Sequence, residues 1–168
     1  MNVKDKTNKR IAIVPGSFDP ITNGHISLVK RALEDHDIVY LAVMINSSKK
    51  YMFTLEERER IAKAALACND NVIVISSDGM LWELAKNLNA ISIVKGYRNE
   101  KDLAYEKEMA KFNEEHYPDA KTVLLKAEEE MCDLSSTMIR ELINRTESLQ
   151  QYLPHSAEEE IKKIISKK

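Results

Sequence analysis

Short runs rich in Val, Ile and Leu alternate along the chain with longer stretches in which apolar residues recur every three or four positions. The short runs are typical of strands that are buried on both faces of a parallel sheet. They predict five strands, at residues 10–14, 37–45, 71–76, 90–94 and 122–125. The stretches between them, such as HISLVKRALED and TLEERERIAKAAL, predict amphipathic helices. The predicted order of elements is therefore βαβαβαβα.

This order predicts an α/β fold, a Rossmann-like doubly wound sheet of about five parallel strands with helices on both faces. We expect a single domain over residues 9–168, with C-terminal helices from about residue 135 onward. Residues 1–8 are expected to form a frayed N-terminus. In such a sheet, ligands bind beyond the carboxyl ends of the strands, near the change in strand order.

Two positions have the spacing of a capping box, in which Ser or Thr precedes a helix and Glu follows three residues later. Thr54 with Glu57 predicts the start of one helix, and Ser156 with Glu159 predicts the start of the final helix. Both pairs stand beside apolar residues with helical spacing. We therefore expect each hydroxyl to accept a hydrogen bond from the first turn of its helix.

Composition narrows the class of protein without identifying it. Of the 168 residues, 43% are hydrophobic and 31% are charged, as in globular proteins that bury a core. No apolar run approaches the roughly 20 residues that span a bilayer, and no signal peptide follows the charged N-terminus, so we expect a cytoplasmic protein without membrane contact. The net charge of -2 provides no basic excess for a nucleic-acid backbone. Cys68 and Cys132 lack the spacing of a disulfide framework or a structural metal site.

The most informative stretch is VPGSFDPITNGH, residues 14–25, where the first strand meets the first helix. We expect Pro15 and Gly16 to end the strand, with Gly16 in a conformation closed to other residues, and Gly24 to let a ligand approach the backbone. His25 falls at the helix start, where unpaired N–H groups and the helix dipole attract anions. The glycines match neither the dinucleotide-binding fingerprint nor the P-loop. One interpretation is a phosphate site of another kind; the other is a simple turn with His25 bonded to the backbone.

The span PGSFDPITNGH resembles the signature of the nucleotidyltransferases that carry the motif (H/T)xGH, here residues 22–25, and is most similar to the phosphopantetheine adenylyltransferase family. Three further islands match that family in the same order: SSKKYMFTLEER, KGYRNEKDLAYE and LSSTMIREL. The resemblance covers nearly the whole predicted domain. It implies transfer of the adenylyl group from ATP to 4'-phosphopantetheine, with dephospho-coenzyme A and pyrophosphate as products. It also implies Mg²⁺ accompanying ATP and a homo-oligomer, often a hexamer.

The resemblance further implies roles for individual residues. His25 corresponds to the catalytic histidine, which contacts the phosphates and stabilises the transition state. Binding of the acceptor is implied for Ser17, Lys49, Leu81 and Lys95. Binding of ATP is implied for a larger set: Ser17, Phe18, His25, Gly96, Tyr97, Arg98, Glu106, Met131, Cys132, Asp133, Leu134, Ser135, Ser136 and Thr137.

The reaction itself requires mainly positioning and neutralisation of charge, because attack of a phosphate on the α-phosphorus of ATP brings two polyanions together. No covalent nucleophile is needed. Ser135, Ser136 and Thr137 predict a helix N-terminus that offers hydroxyls and amides to phosphate, that caps the helix, or that does both. Arg140, one turn further on, adds a cation that we expect near the phosphates.

The sequence departs from the family's pattern at three places. Lys95 stands where the family has an arginine, so a bidentate guanidinium is replaced by a single ammonium. The loop EEEMCDLSST lacks the family's aromatic residue and Ser-Phe-Ile, and Leu103 and Ala104 replace a Phe-Glu pair. Two alternatives therefore stay open. One is a related nucleotidyltransferase with another phosphorylated acceptor, such as nicotinamide mononucleotide or glycerol phosphate; the other is a non-catalytic nucleotide-binding module on the same fold.

Overall fold

The computed structural model describes residues 8–168, so the expectation about residues 1–8 lies, apart from residue 8, outside the described residues. The strands of the described chain are β1 Ile11–Gly16, β2 Ile38–Met44, β3 Val72–Ser77, β4 Ser92–Tyr97 and β5 Lys121–Lys126. Its α-helices are α1 Asn23–Asp35, α2 Leu55–Leu66, α3 Leu81–Asn87, α4 Glu100–His116, α5 Ser136–Asn144 and α6 His155–Ser166. A short 3-10 turn, Glu129–Met131, lies between β5 and α5. None of the described helices has the length and apolar character needed to cross a membrane.

The five strands are all parallel and lie in the order β3-β2-β1-β4-β5. The chain builds outwards from β1 to β3, returns to the other side of β1, and continues through β4 to β5. A helix connects each strand to the next, as parallel pairing requires. The predicted Rossmann-like α/β sheet is confirmed, and the change in strand order falls between β1 and β4.

β1 and β4 pair over a much shorter length than the other neighbours in the sheet. The ladder between β1 and β2 contains six residue pairs, whereas the ladder between β1 and β4 contains two, Ala12 with Ser92 and Ile13 with Ile93. Beyond Ile13 these two strands no longer pair. The sheet therefore opens a crevice at its carboxyl edge, where the strand order changes.

Two hydrophobic clusters cover the two faces of the sheet. Alternate residues of β1 divide between them, since Ala12 and Val14 belong to the first cluster and Ile13 to the second. The first cluster also contains buried residues of α1, α2, α5 and α6, whereas the second packs against α3. The two edge strands are less buried than the sequence predicts, because Ile73 of β3 and Val123 of β5 are exposed.

One predicted capping box is present and the other is not. Thr54 accepts a hydrogen bond from the N–H of Glu57 at 3.2 Å, and the Glu57 carboxylate accepts one from the N–H of Thr54 at 2.9 Å. The prediction for Ser156 is wrong, because α6 already begins at His155 and has no side-chain cap. The Ser156 hydroxyl instead donates to the carbonyl of Ala64 in α2 at 2.8 Å. A contact between helices has taken the place of the local cap.

β1 ends at Gly16, as the Pro15-Gly16 pair predicts, but the conformation closed to other residues that was expected of Gly16 is not found. Both residues are still part of the strand and pair with Ala42 and Val43 of β2. No glycine within residues 8–168 has a positive φ. Gly16 is needed for a different reason: a Cβ there would lie 2.9 Å from Cζ of Phe18, a distance at which the ring would have to shift.

A buried arginine joins the carboxyl ends of β1 and β2. Arg58 lies on the apolar face of α2, beside Ile61 and Ala62, and is only 1% exposed. Its Nη1 donates to the carbonyl of Ser17 at 2.7 Å and to the carbonyl of Met44 at 2.9 Å. Burial lowers the pKa of the guanidinium, although an arginine stays charged in a protein. The two carbonyls compensate for the burial of that charge.

Replacing Arg58 with Met should lower the free energy of unfolding by roughly 1–3 kcal/mol, because buried carbonyls lose their donor while the aliphatic stem is kept. Urea unfolding followed by circular dichroism measures the loss. Arg60→Met is the matched control, since the Arg60 side chain is 52% exposed and pairs with Glu160. Such an exposed pair contributes at most about 1 kcal/mol. Equal losses in the two variants would contradict the role given to Arg58.

Candidate functional site

A cavity of about 710 Å³ opens at the carboxyl edge of the sheet, where β1 and β4 separate. Its walls come from the ends of β1, β4 and β5, the loop after β2, and the N-terminal parts of α1, α4 and α5. These segments are far apart in sequence, and they meet because the carboxyl ends of parallel strands share one edge of the sheet. A cavity of this size can hold a nucleotide-sized ligand.

Most of the residues singled out in the sequence line this cavity. They are Ser17, Phe18, His25, Lys49, Lys95, Gly96, Tyr97, Arg98, Glu106, Met131, Leu134, Ser135, Ser136 and Thr137. All four islands that carry the family resemblance contribute to this set. Segments that were separate in the sequence therefore form one site.

The structure does not bring three of the expected residues to the cavity. Leu81 begins α3 and packs against the second core cluster, because α3 lies on the other face of the sheet from α1 and α5. Cys132 and Asp133 follow the 3-10 turn and lie in the segment that connects it to α5. The thiol of Cys132 donates to the carbonyl of Glu128 at 3.4 Å, and Asp133 is exposed.

His25 is the third residue of α1 and forms a capping box with Thr22. The N–H of Thr22 donates to Nδ1 of His25 at 3.0 Å, so Nδ1 is an acceptor and the neutral ring carries its proton on Nε2. The ring also lines the cavity, which leaves Nε2–H as its donor for a ligand. Both interpretations of His25 drawn from the sequence therefore hold: one ring nitrogen binds the backbone and the other is free for a ligand.

The imidazole of His25 is uncharged at neutral pH. Burial, and secondarily the positive charge of Arg98, lower the pKa of His25 from 6.5 to about 4. The ring of Phe18 contributes to this burial, because it meets the imidazole edge-on with the ring centroids 4.9 Å apart. His25 therefore offers a neutral N–H donor beside a guanidinium that supplies the positive charge.

The turn between β1 and α1 depends on Phe18 and Asp19. Phe18 has a left-handed backbone, with φ 46°, which is rare for a bulky residue, and its buried ring packs against Gly16. Asp19 is 3% exposed and accepts hydrogen bonds from the N–H groups of Met52 at 2.9 Å and Phe53 at 3.1 Å. The turn is thereby tied to the segment that precedes α2.

Sequence reasoning missed the structural roles of Asp19 and Arg58. Arg140, expected near the phosphates, donates to the carbonyl of Asp19 at 2.8 Å and lies 3.7 Å from its carboxylate. Part of its charge therefore neutralises a buried acid. The sequence did contain signals for the structural roles of Asp19 and Arg58. An acid within PGSFDP stands among turn residues next to a buried strand, and Arg58 occupies the apolar stripe that Ile61 and Ala62 continue, where a charge requires a partner.

Lys49 lies in the exposed loop after β2 and lines the cavity. Its backbone N–H donates to the carbonyl of Asn46 at 3.0 Å, which closes the loop. Within residues 8–168 its ammonium takes part in no ion pair. Lys50 lines the cavity as well. This loop therefore presents positive charge that the described protein does not neutralise.

Two pairs of opposite charge lie along the β4 side of the cavity. Nζ of Lys95 is 2.7 Å from Oε2 of Glu106, with side-chain exposures of only 24% and 14%. Nε of Arg98 is 3.4 Å from the carboxylate of Asp102, which also accepts the N–H of Arg98 at 3.2 Å. Lys95 and Glu106, which the resemblance assigns to different ligands, thus neutralise each other. A ligand of Lys95 must compete with Glu106.

The first turn of α5 borders the cavity, and each of its three hydroxyls has a partner within the protein. Ser135 caps the helix by accepting a hydrogen bond from within the first turn. The Ser136 hydroxyl donates to the carbonyl of Pro20 at 2.8 Å, and the Thr137 hydroxyl accepts from Arg140 at 3.0 Å. Only Ser136 uses its proton in this way; the hydroxyls of Ser135 and Thr137 accept their bonds and keep a proton for a ligand, so capping and phosphate binding are compatible. The backbone N–H groups at the start of α5 remain as donors.

The cavity is more positive than the chain, whose net charge is -2. Six cationic and four acidic residues line it: Arg31, Lys49, Lys50, Lys95, Arg98 and Arg140, with Asp19, Asp102, Glu106 and Glu128. In the part of the chain that the structure describes, no group of three His, Cys, Asp or Glu side chains is placed to hold a metal ion. The arrangement, with two helix N-termini, suits a polyphosphate.

Comparison with known proteins agrees with this geometry. Residues 13–142 match the family model described as cytidylyltransferase-like. A phosphopantetheine adenylyltransferase of Lactobacillus acidophilus is 43% identical over 156 residues, which are 92% of this chain and 97% of the relative. Proteins of the same name from Streptococcus gordonii and Petrotoga mobilis are 39% and 36% identical, over 92% and 95% of this chain and 94% and 98% of their own.

The lowered pKa of His25 leads to a prediction about the free protein. NMR titration of the imidazole should give a pKa of about 4. Because the unfolded chain takes up this proton near pH 6.5 and the folded chain does not, the stability linked to His25 is complete above pH 6.5 and is lost as the pH falls toward 4. Arg98→Gln should raise the pKa without restoring 6.5, since burial is the larger cause. A pKa of 6.5 or above in the wild type would contradict this environment.

Proposed function

The chain belongs to the cytidylyltransferase-like family and, within it, to the phosphopantetheine adenylyltransferases, and we propose that it transfers the adenylyl group of ATP to 4'-phosphopantetheine. The products are dephospho-coenzyme A and pyrophosphate. The observation that carries the proposal is the arrangement of His25, Lys49 and Arg98 around one cavity at the change in strand order. The identity of the acceptor comes from the relatives, which match more than nine-tenths of the chain.

In the reaction, an oxygen of the acceptor's phosphate forms a bond to the α-phosphorus of ATP. The bond from the α-phosphorus to the oxygen that bridges to the β-phosphorus breaks, and pyrophosphate leaves with that electron pair. Nε2–H of His25 donates to the oxygens on which charge develops, and the N-terminus of α1 adds to the same field. The acceptor phosphate is the nucleophile, so the protein contributes position and charge rather than a covalent intermediate.

Different cationic side chains bind the two substrates. Lys49 and Ser17 bind the phosphate of the acceptor, on the β2 side of the cavity. Arg98 and the N–H groups that begin α5 bind the phosphates of ATP. Lys95 contributes to the acceptor only when its pair with Glu106 opens, so Lys49 is the main cation of the acceptor site.

Mg²⁺ enters with ATP as part of the substrate. This fits the residues present, because Mg²⁺ keeps several waters and binds through substrate phosphates rather than through a protein cage. Asp102 and Glu106, two acids of the cavity, are engaged by Arg98 and Lys95. When bound, the ion neutralises charge on the phosphates of ATP.

We also propose that the protein works in the cytoplasm as a homo-oligomer, with the hexamer as the form that the family resemblance implies. Tyr105 and Phe112 of α4 are 56% and 38% exposed, and Tyr105 also borders the cavity. They are seven residues apart and therefore lie on the same face of the helix. An exposed apolar face of this kind supports contact with a second copy of the chain.

Pyrophosphate release, measured with a panel of substrates, tests the function. The donors are ATP and CTP, and the acceptors are 4'-phosphopantetheine, nicotinamide mononucleotide and glycerol phosphate. We expect kcat/KM for ATP with 4'-phosphopantetheine to exceed every other combination by about 100-fold or more, because a site built for a substrate's polar groups rejects analogues that lack them. A preference for another acceptor would support the related nucleotidyltransferase. Absence of turnover with every pair would support the non-catalytic module.

His25→Ala should lower kcat by about 100-fold or more, as expected when one donor to a developing oxyanion is removed. His25→Gln is the companion variant, because glutamine at this helix position preserves the capping box with Thr22 and should keep the free energy of unfolding. His25→Ala should lose far more in kcat than in KM for either substrate, whereas His25→Gln, whose amide keeps an N–H donor, should lose less in kcat. A kcat close to that of the wild type in His25→Ala would remove His25 from the mechanism.

A further inference from the structure

Tyr51, to which sequence reasoning gave no role, lines the cavity between the two loops that serve the acceptor. Its hydroxyl oxygen is 2.6 Å from the backbone nitrogen of Asn46 and 3.3 Å from the Asn46 carbonyl oxygen. The same oxygen is 3.4 Å from Oγ of Ser17. One phenol therefore contacts both the loop that carries Lys49 and the residue that follows β1.

Arg58 fixes the position of the Tyr51 ring by packing against one of its faces. The guanidinium carbon of Arg58 lies 3.9 Å from the centroid of the Tyr51 ring, in a cation–π contact. That guanidinium also holds the carbonyls of Ser17 and Met44. The Tyr51 hydroxyl is thus held in a defined place relative to the ends of both β1 and β2.

The hydrogen-bonding capacity of the phenol decides which way the Ser17 hydroxyl points. Tyr51 accepts the N–H of Asn46, and its own proton has two acceptors within reach, the Asn46 carbonyl at 3.3 Å and Oγ of Ser17 at 3.4 Å. When an acceptor phosphate lies in the cavity, the Ser17 hydroxyl donates to that anion, and its oxygen is then free to accept the proton of Tyr51. The chain of donors runs from Tyr51 through Ser17 to the phosphate.

We propose that Tyr51 is a positioning residue for the acceptor. Its hydroxyl holds the Lys49 loop at Asn46 and directs the proton of the Ser17 hydroxyl into the cavity, so that Lys49 and Ser17 reach the same phosphate. This inference rests on the proposed function. It is separate from ATP binding, which the other side of the cavity provides.

Tyr51→Phe tests the inference, because it removes the hydroxyl and keeps the ring on Arg58. We expect KM for 4'-phosphopantetheine to rise about 3- to 10-fold, the effect of one neutral hydrogen bond, with kcat and KM for ATP nearly unchanged. Ser17→Ala should have a similar effect, and the double variant should be little worse than either single variant, since both act through one chain of hydrogen bonds. Tyr117→Phe is the control, because Tyr117 packs against the second core cluster away from the cavity.

Hydrogen exchange of the Asn46 N–H, followed by NMR, gives a readout that does not depend on turnover. Exchange should be slow in the wild type and in Tyr117→Phe and fast in Tyr51→Phe. An unchanged acceptor KM in Tyr51→Phe, equal rises in both KM values, or fully additive effects with Ser17→Ala would overturn the inference while the proposed function stands. A wild type that neither binds 4'-phosphopantetheine by calorimetry nor turns it over would overturn both.

Discussion

The site is held together by two buried charges that tie loops to the carboxyl edge of the sheet. The guanidinium of Arg58 binds the carbonyls that follow β1 and end β2, and the carboxylate of Asp19 binds the backbone that precedes α2. A buried charge requires hydrogen bonds in a defined geometry, because leaving it unpaired costs several kcal/mol. Movement of either loop would break these hydrogen bonds and leave a buried charge unpaired. Lys49, Ser17 and His25 are therefore positioned by loops that are fixed by Arg58, which does not line the cavity, and by Asp19, which lies at its wall.

The chemistry proposed for the site depends on how charged residues are distributed around the cavity. The chain carries a net charge of -2, yet its cavity gathers more cations than acids at the point where β1 and β4 part. His25 stays neutral there because desolvation, and secondarily the charge of Arg98, lower its pKa, and Thr22 occupies one of its ring nitrogens. The site thus combines fixed cations for substrate phosphates with a neutral donor for the charge that develops during transfer.

The sequence was sufficient for the fold and for most of the cavity wall, since the strands and helices have strong periodicity and the motifs stand at strand ends. It failed where a contact between distant segments overrides a local pattern. Gly16 has the residue type of a turn, but it is needed because a side chain there would collide with the ring of Phe18. Ser156 has the spacing of a helix cap, but its hydroxyl binds α2. The pair of Lys95 with Glu106 and the bond from Tyr51 to Asn46 arise only once the loops meet in space, so spacing alone could not reveal them.

The position of an isotope transferred from ATP tests the central claim most directly, since that claim is attack at the α-phosphorus. With ATP labelled at the α-phosphate and 4'-phosphopantetheine as acceptor, the label should appear in dephospho-coenzyme A. With ATP labelled at the γ-phosphate, the label should appear only in pyrophosphate. Transfer of the γ-label to the acceptor, or release of the α-label as free AMP without a labelled acceptor, would contradict adenylyl transfer at this site.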